Sequence, residues 1–136
     1  NQEKRTPNHY DAVTVGIDFT ARGGQDELKK KGLPWEKAKA FDNSAVIGKF
    51  IGLTPDFNRK SINFSLLKNK EQAQKANSSQ MIFSFEKIIE HISSYFSLNI
   101  GDLIFTGTPA GVGECVVGDV LEGFIDEQNL LNVEIK

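Results

Sequence analysis

Val13-Thr14-Val15-Gly16-Ile17-Asp18-Phe19 is an apolar, β-branched run interrupted by one carboxylate. Its composition predicts a strand. The segment from Tyr10 to Phe19 reads the same way, with Gly16 as a bend or a point of close approach. An acid inside such a run is costly to desolvate unless a cation, a metal ion or several donors meet it. Residues that break a local rule concentrate at functional sites, which makes Asp18 the first candidate.

The residues after Asp18 bear on what meets it. Gly23-Gly24 predicts a break in the chain. Gln25 to Lys31 predicts two helical turns stopped by Gly32 and Pro34. Arg22 presents a fork of donors suited to a carboxylate. Gln25 can donate and accept, so it could orient a keto or enol oxygen; otherwise it is a surface residue at a helix N-terminus. Asp18 admits two readings, an ion pair or cap with Arg22, or a ligand of a hard divalent cation, which takes several oxygen ligands. Asp26 and Glu27 read as first-turn acids that complement the helix dipole. Lys39, flanked by Ala38, Ala40 and Phe41, reads as an ordinary solvated lysine or, held among apolar groups, as one that stabilises an enolate or carboxylate.

Downstream lies Thr106-Gly107-Thr108-Pro109-Ala110-Gly111-Val112-Gly113. It lacks the Gly-Lys-Ser/Thr of a P-loop, and no helix pattern follows it, so it is not a dinucleotide fingerprint. Its glycines allow close ligand approach, and a backbone nest there could bind carboxylate or phosphate oxygens. The plain alternative is a tight loop between strands.

The remaining pattern is strand-rich. Ala45-Val46-Ile47-Gly48 predicts a short strand, and Thr54 to Asn58 a turn-rich loop. Ile62 to Leu66 alternates apolar and polar, which predicts a half-buried strand. Asn69-Lys70 reads as a hairpin tip, with Glu71 to Lys75 returning and Gln72 and Gln74 on a polar face. Phe85, Ile88, Ile89, Ile92 and Phe96 form one helical stripe, and Ser84 is placed to cap it. Ile100 to Phe105 predicts a strand. Asp119 to Ile125 and Leu130 to Ile135 predict two more, joined by Asp126-Glu127-Gln128-Asn129. The fold class expected is α+β, mostly β, with a mostly antiparallel or mixed sheet that rolls up and one or two helices.

The 136 residues suffice for one domain. Residues 1–9 read as a loop lead-in, and residues 10–136 as the domain. Hydrophobic residues are 39%, partly offset by ten phenylalanines. With 16 Lys and Arg against 18 Asp and Glu, the net charge of −2 gives no basis for nucleic-acid binding. Lys29-Lys30-Lys31 reads as a solvated helix end. No apolar run reaches membrane-spanning length. Cys115 is the only cysteine, which precludes an internal disulfide and predicts a reducing, cytoplasmic setting, with the thiol passive in the core. His9 and His91 lack ligand-like spacing. The chain begins with Asn, and natural sequence is expected upstream of it.

Four segments together resemble the fumarylacetoacetate hydrolase family, in particular its fumarylpyruvate and acylpyruvate hydrolase-like members. They are Gly16 to Arg22, Lys31-Gly32-Leu33-Pro34-Trp35-Glu36-Lys37-Ala38-Lys39, Ser79-Gln80-Met81-Ile82-Phe83-Ser84, and Gly101 to Gly113. The resemblance implies a mixed, barrel-like β-roll, a homodimer, and a divalent cation site for Mg²⁺, or for Mn²⁺ or Ca²⁺. It implies Asp18 as a metal carboxylate, and Arg22, Gln25, Gly107 and Thr108 as substrate-binding residues. Lys39 would be the buried catalytic lysine. The implied substrate is a small 2-keto or β-dicarbonyl acid, whose enolate the metal stabilises as a carbon–carbon bond is cleaved. Within the family, decarboxylation of oxaloacetate or isomerisation of 2-hydroxyhepta-2,4-diene-1,7-dioate is the alternative reaction.

Two departures accompany the resemblance. Gly23 stands where the family's motif has an acid, which is expected to loosen the turn. The family's Glu-x-Glu metal pair and His-Glu dyad fall upstream of Asn1. This chain alone is therefore expected to bind Mg²⁺ weakly and not to turn over. A reading of another class makes it a non-catalytic dimerisation module.

Overall fold

The computed structural model describes residues 10–136. The lead-in 1–9 and His9 lie outside the described residues. The expected strand from Tyr10 to Phe19 is two short strands, β1 (Ala12–Val13) and β2 (Gly16–Asp18). Their partners are β3 (Ala45–Ile47) and β4 (Ile51–Gly52). β1 pairs antiparallel with β4, and β2 with β3, so the four make one interrupted ribbon. The interruption is bridged: Thr14 Oγ1 donates to Lys49 O at 2.9 Å, and Gly48 N to Val15 O at 2.9 Å.

The larger sheet is an antiparallel meander in the order β6-β5-β7-β8. Its strands are β5 (Asn63–Lys68), β6 (Glu71–Asn77), β7 (Val120–Ile125) and β8 (Gln128–Glu134). The β5–β6 tip falls at Asn69-Lys70 as the alternation predicts. Both tip residues have positive φ, 52° and 70°, the geometry of a primed hairpin turn. Lys70 holds that unfavourable angle while its ammonium meets both carboxylate oxygens of buried Glu122 at 2.8 Å. The second hairpin turns at Asp126-Glu127, tighter than the four-residue link expected, and Gln128 and Asn129 already belong to β8. β6 carries a bulge: Leu66 faces Gln74 and Leu67 faces Gln72, so Ala73 is the extra residue.

The core lies between ribbon and sheet. Ile62, Ile125 and Leu130 are buried together, with Val13, Val15, Ile51, Phe57, Phe64 and Phe85 packed against them. Leu121 is 2% exposed, burial that stabilises by about 2 kcal/mol. Gly48 is the tightest glycine contact between ribbon and sheet. A Cβ there would lie 2.6 Å from the Leu130 carbonyl oxygen, and the next amide, Lys49 N, donates to that same oxygen at 2.7 Å.

Among the described residues, three α-helices flank this framework. α1 (Arg22–Lys30) starts earlier than expected and takes Gly23 and Gly24 into its first turn. The first amides of a helix need no intrahelical partner, so the glycines end nothing; each costs about 0.5–1 kcal/mol relative to Ala. Asp26 and Glu27 consequently lie in the body of the helix, not its first turn, while Lys29 and Lys30 occupy its last turn as read. α2 (Glu36–Lys39), a single turn, was not foreseen. α3 (Phe85–Ser93) has the expected Ser84 cap, whose hydroxyl accepts from Lys87 N at 3.3 Å. It stops short of Phe96 because Ser93 and Ser94 hydroxyls bond back to the Glu90 and His91 carbonyls. His91 sits in its last turn, edge-on to Tyr95.

Ile100 to Phe105 is not a strand. Asn99 N donates to the Asp102 carboxylate at 2.7 Å and Asp102 N to Asn99 O at 3.1 Å. That turn takes in Gly101 at φ +96°, and among the described residues no strand pairs with the run. Mostly strands with few helices is the class expected; among the described residues every strand pairing is antiparallel.

Candidate functional site

The site grows from the end of β2. Pairing with Ala45 fixes Asp18 at the last ladder position. Ala38, 1% exposed, docks α2 against the turn that follows, and Ala21 N donates to Ala38 O at 3.0 Å. The docking swings the next residue, Lys39, back over the strand end. Its ammonium lies 2.7 Å from Asp18 Oδ2 and 2.9 Å from Thr20 Oγ1.

This answers the two readings of Asp18 in part. The cation that meets it is Lys39, not Arg22. Neither side chain is sequestered, with 46% of Asp18 and 35% of Lys39 exposed, so the carboxylate is not hidden in an oily strand and the lysine is not deeply buried. Arg22 is exposed and donates through Nη1 to Gln25 Oε1 at 3.1 Å. Gln25 is 4% exposed, so it is no surface residue; the bond to its oxygen orients the guanidinium above it.

The glycine-rich loop reaches the same neighbourhood through Phe105, whose ring packs on β2: a Cβ at Gly16 would lie 2.9 Å from it. Gly107 has φ +118° and Gly111 +97°, angles that side-chain-bearing residues rarely adopt. Asp18, Thr20, Arg22, Lys39, Gly107 and Thr108 all border one wide open concavity, which more than half of the described residues line. Thr20 escaped the sequence reading, although its position two residues past Asp18 on an extended segment was the available signal.

A hard cation needs several oxygen ligands. Among the described residues no three His, Cys, Asp or Glu side chains cluster as a metal site. Asp18 accepts a side-chain bond at Oδ2 alone, so its carboxylate fits one place in such a ligand set and no more. Cys115 is half-buried and burial pushes its thiol up, away from a reactive thiolate. No described helix is long and apolar enough to cross a membrane.

An antiparallel framework thus carries a carboxylate–lysine pair, an oriented arginine and a glycine-rich loop. Residues 2–136 match the family model described as the C-terminal domain of fumarylacetoacetate hydrolase, and the chain belongs to that family. It is 40% identical over 123 residues to a mitochondrial oxaloacetate tautomerase of Caenorhabditis elegans, covering 90% of this chain and 58% of that one. It is 46% identical over 112 residues to a mitochondrial oxaloacetate tautomerase of Schizosaccharomyces pombe, covering 81% and 50%. Among solved structures, the fumarylpyruvate hydrolase of Pseudomonas aeruginosa, crystallised with Mn²⁺ and pyruvate, superposes with a TM-score of 0.87 at 36% identity, covering 93% of this chain and 55% of that one. The chain thus spans little more than half the length of these relatives.

Proposed function

We propose that the full-length protein acts on a small 2-keto diacid through its enol, interconverting the enol and keto forms of an oxaloacetate-like substrate. The observation that carries this reading is the Lys39 ammonium, fixed 2.7 Å from Asp18 and 2.9 Å from Thr20 at the cleft wall. A held cation beside a developing enolate oxygen stabilises charge that appears only during reaction. Arg22, steered by Gln25, takes one substrate carboxylate. The Thr108 hydroxyl and the backbone at Gly107 hold a second oxyanion. Asp18 contributes one carboxylate to a divalent cation, Mg²⁺ or alternatively Mn²⁺ or Ca²⁺. When bound, that ion supplies the positive charge that acidifies the carbon next to the keto group. The similarity to tautomerases supports enol–keto interconversion. The similarity to a fumarylpyruvate hydrolase supports a second reading, hydrolytic cleavage of an acylpyruvate on the same enolate chemistry.

The test is the decay of enol-oxaloacetate absorbance with full-length protein and Mg²⁺, run beside pyruvate release from acylpyruvates. Ketonisation faster than the spontaneous rate, lost on chelation, is expected. Lys39→Met should lower kcat about a hundred-fold. If no 2-keto acid is turned over faster than in buffer, the non-catalytic reading takes its place. We also propose that the exposed apolar residues Tyr95, Phe96 and Ile100 are covered by a second copy in a homodimer.

A further inference from the structure

We propose that Gln74 is a positioning residue that locks the Thr106–Gly113 loop in its substrate-binding shape; its role in substrate affinity rests on the function proposed above. Gln74 lies on β6, remote in sequence from the loop, and its amide nitrogen donates into it three ways: to Thr108 Oγ1 at 3.2 Å, Pro109 O at 3.0 Å and Ala110 O at 3.4 Å. Two of these acceptors are carbonyl oxygens, which cannot donate, so the nitrogen of the amide and not its oxygen must face the loop. The local backbone is shaped for this contact. The bulge at Ala73 breaks the β5–β6 register beside Gln74, a device that re-aims a side chain out of a regular ladder. The Ala73 carbonyl meets Gly111 so closely that a Cβ there would overlap it, and Gly111 has φ +97°. A bulge, a glycine seat and a three-way amide clamp thus converge on the loop, and the Thr108 hydroxyl, which accepts from Gln74, keeps its own proton to donate.

A loop with three exposed glycines has many conformations available, and ordering it on binding would cost affinity. Holding it before substrate arrives removes part of that cost. Gln74 therefore acts through the loop and does not itself touch the reacting atoms.

Gln74→Glu keeps size and shape but replaces the donor with an acceptor aimed at two carbonyls; Gln74→Lys restores a donor. In the full-length protein, hydrogen–deuterium exchange across residues 106–113 should speed up about ten-fold in Gln74→Glu, with exchange in β7 and β8 unchanged and partial recovery in Gln74→Lys. KM for the keto acid should rise about ten-fold, while the Mg²⁺ concentration giving half-maximal rate stays put. Unaltered loop exchange in Gln74→Glu overturns the proposal even if the protein proves to have no keto-acid activity. Faster exchange throughout the sheet, or a metal requirement that rises in step with KM, overturns it as well, because the damage would then be general. Absence of turnover by the unmodified protein counts against the function reading alone, since the exchange measurement still decides the clamp.

Discussion

The β5–β8 sheet and the segment from Met81 to Val117 are both rich in apolar side chains, and they treat them oppositely. In the sheet Leu121 is 2% exposed and Leu131 3%. In the segment Ile82 is 91% exposed, Val117 78%, and Ile100 fully open. Five of the ten phenylalanines are at least 41% exposed, and three of those, Phe83, Phe96 and Phe105, are in this segment beyond the sheet. The difference is pairing. Each sheet strand has a ladder partner that fixes which face turns inward, and the opposing ribbon supplies the lid. The segment has α3 and then a long irregular path with no ladder. Hydrophobicity alone buries nothing without a backbone partner to hold a face in place. These exposed apolar side chains are what the proposed second copy would cover.

Mutation breaks or sharpens that contrast. The largest effect is expected in the sheet: Leu121→Ala should cost about 2–5 kcal/mol in denaturant unfolding. Ile100→Ser should stay within about 0.5 kcal/mol, yet weaken self-association in light scattering. Equal losses at both positions would erase the distinction between the two regions.

Next comes acid. Asp119 anchors the start of β7, with Lys68 Nζ and Val116 N each at 2.8 Å from its Oδ2 and Asn69 Nδ2 at 2.7 Å from Oδ1. The Lys68 ammonium first, then the Val116 amide and Asn69, pull its carboxyl down to about 2. A carboxyl lower in the folded than in the unfolded state stabilises fully above the ordinary carboxylate range, and that stability fades as pH falls from about 4 towards about 2. Acid unfolding followed by circular dichroism should show this loss in the unmodified protein, and Asp119→Asn should flatten it. The smallest effect is a gain. Nothing lies within 4 Å of a Cβ added at Gly23 or Gly24, so Gly24→Ala should raise stability by about 0.5–1 kcal/mol. Gly23→Asp, which returns an acid to the first turn of α1, should add a few tenths of a kcal/mol at low salt.

Local pattern carried much of this architecture. Alternation located β5, the Ser84 cap and its apolar stripe located α3, and Asn69-Lys70 marked a hairpin tip even without glycine. What local pattern could not supply was contact between distant segments. Lys39 reaches Asp18 only because Ala38 is buried, and a lone Ala carries no signal of that. Gln25 looked like a surface residue because its burial depends on tertiary neighbours. Ile100 to Phe105 has the composition of a strand, yet strand formation is a property of two segments, and its partner cannot be read from the run itself. The four motifs of the family resemblance nominated Asp18, Arg22, Lys39 and Thr108 as parts of one site, but the Lys39–Asp18 contact, Thr20 and the Gln74 clamp needed coordinates.

Gly48 shows how a position outside the cleft can be closed to evolutionary drift. Any side chain there would strike main-chain atoms of Leu130 that have no alternative rotamer to adopt. A single-base codon change would therefore pry the ribbon bearing Asp18 off the C-terminal hairpin. Such changes should be purged from descendants as strictly as those at Lys39, although position 48 performs no chemistry.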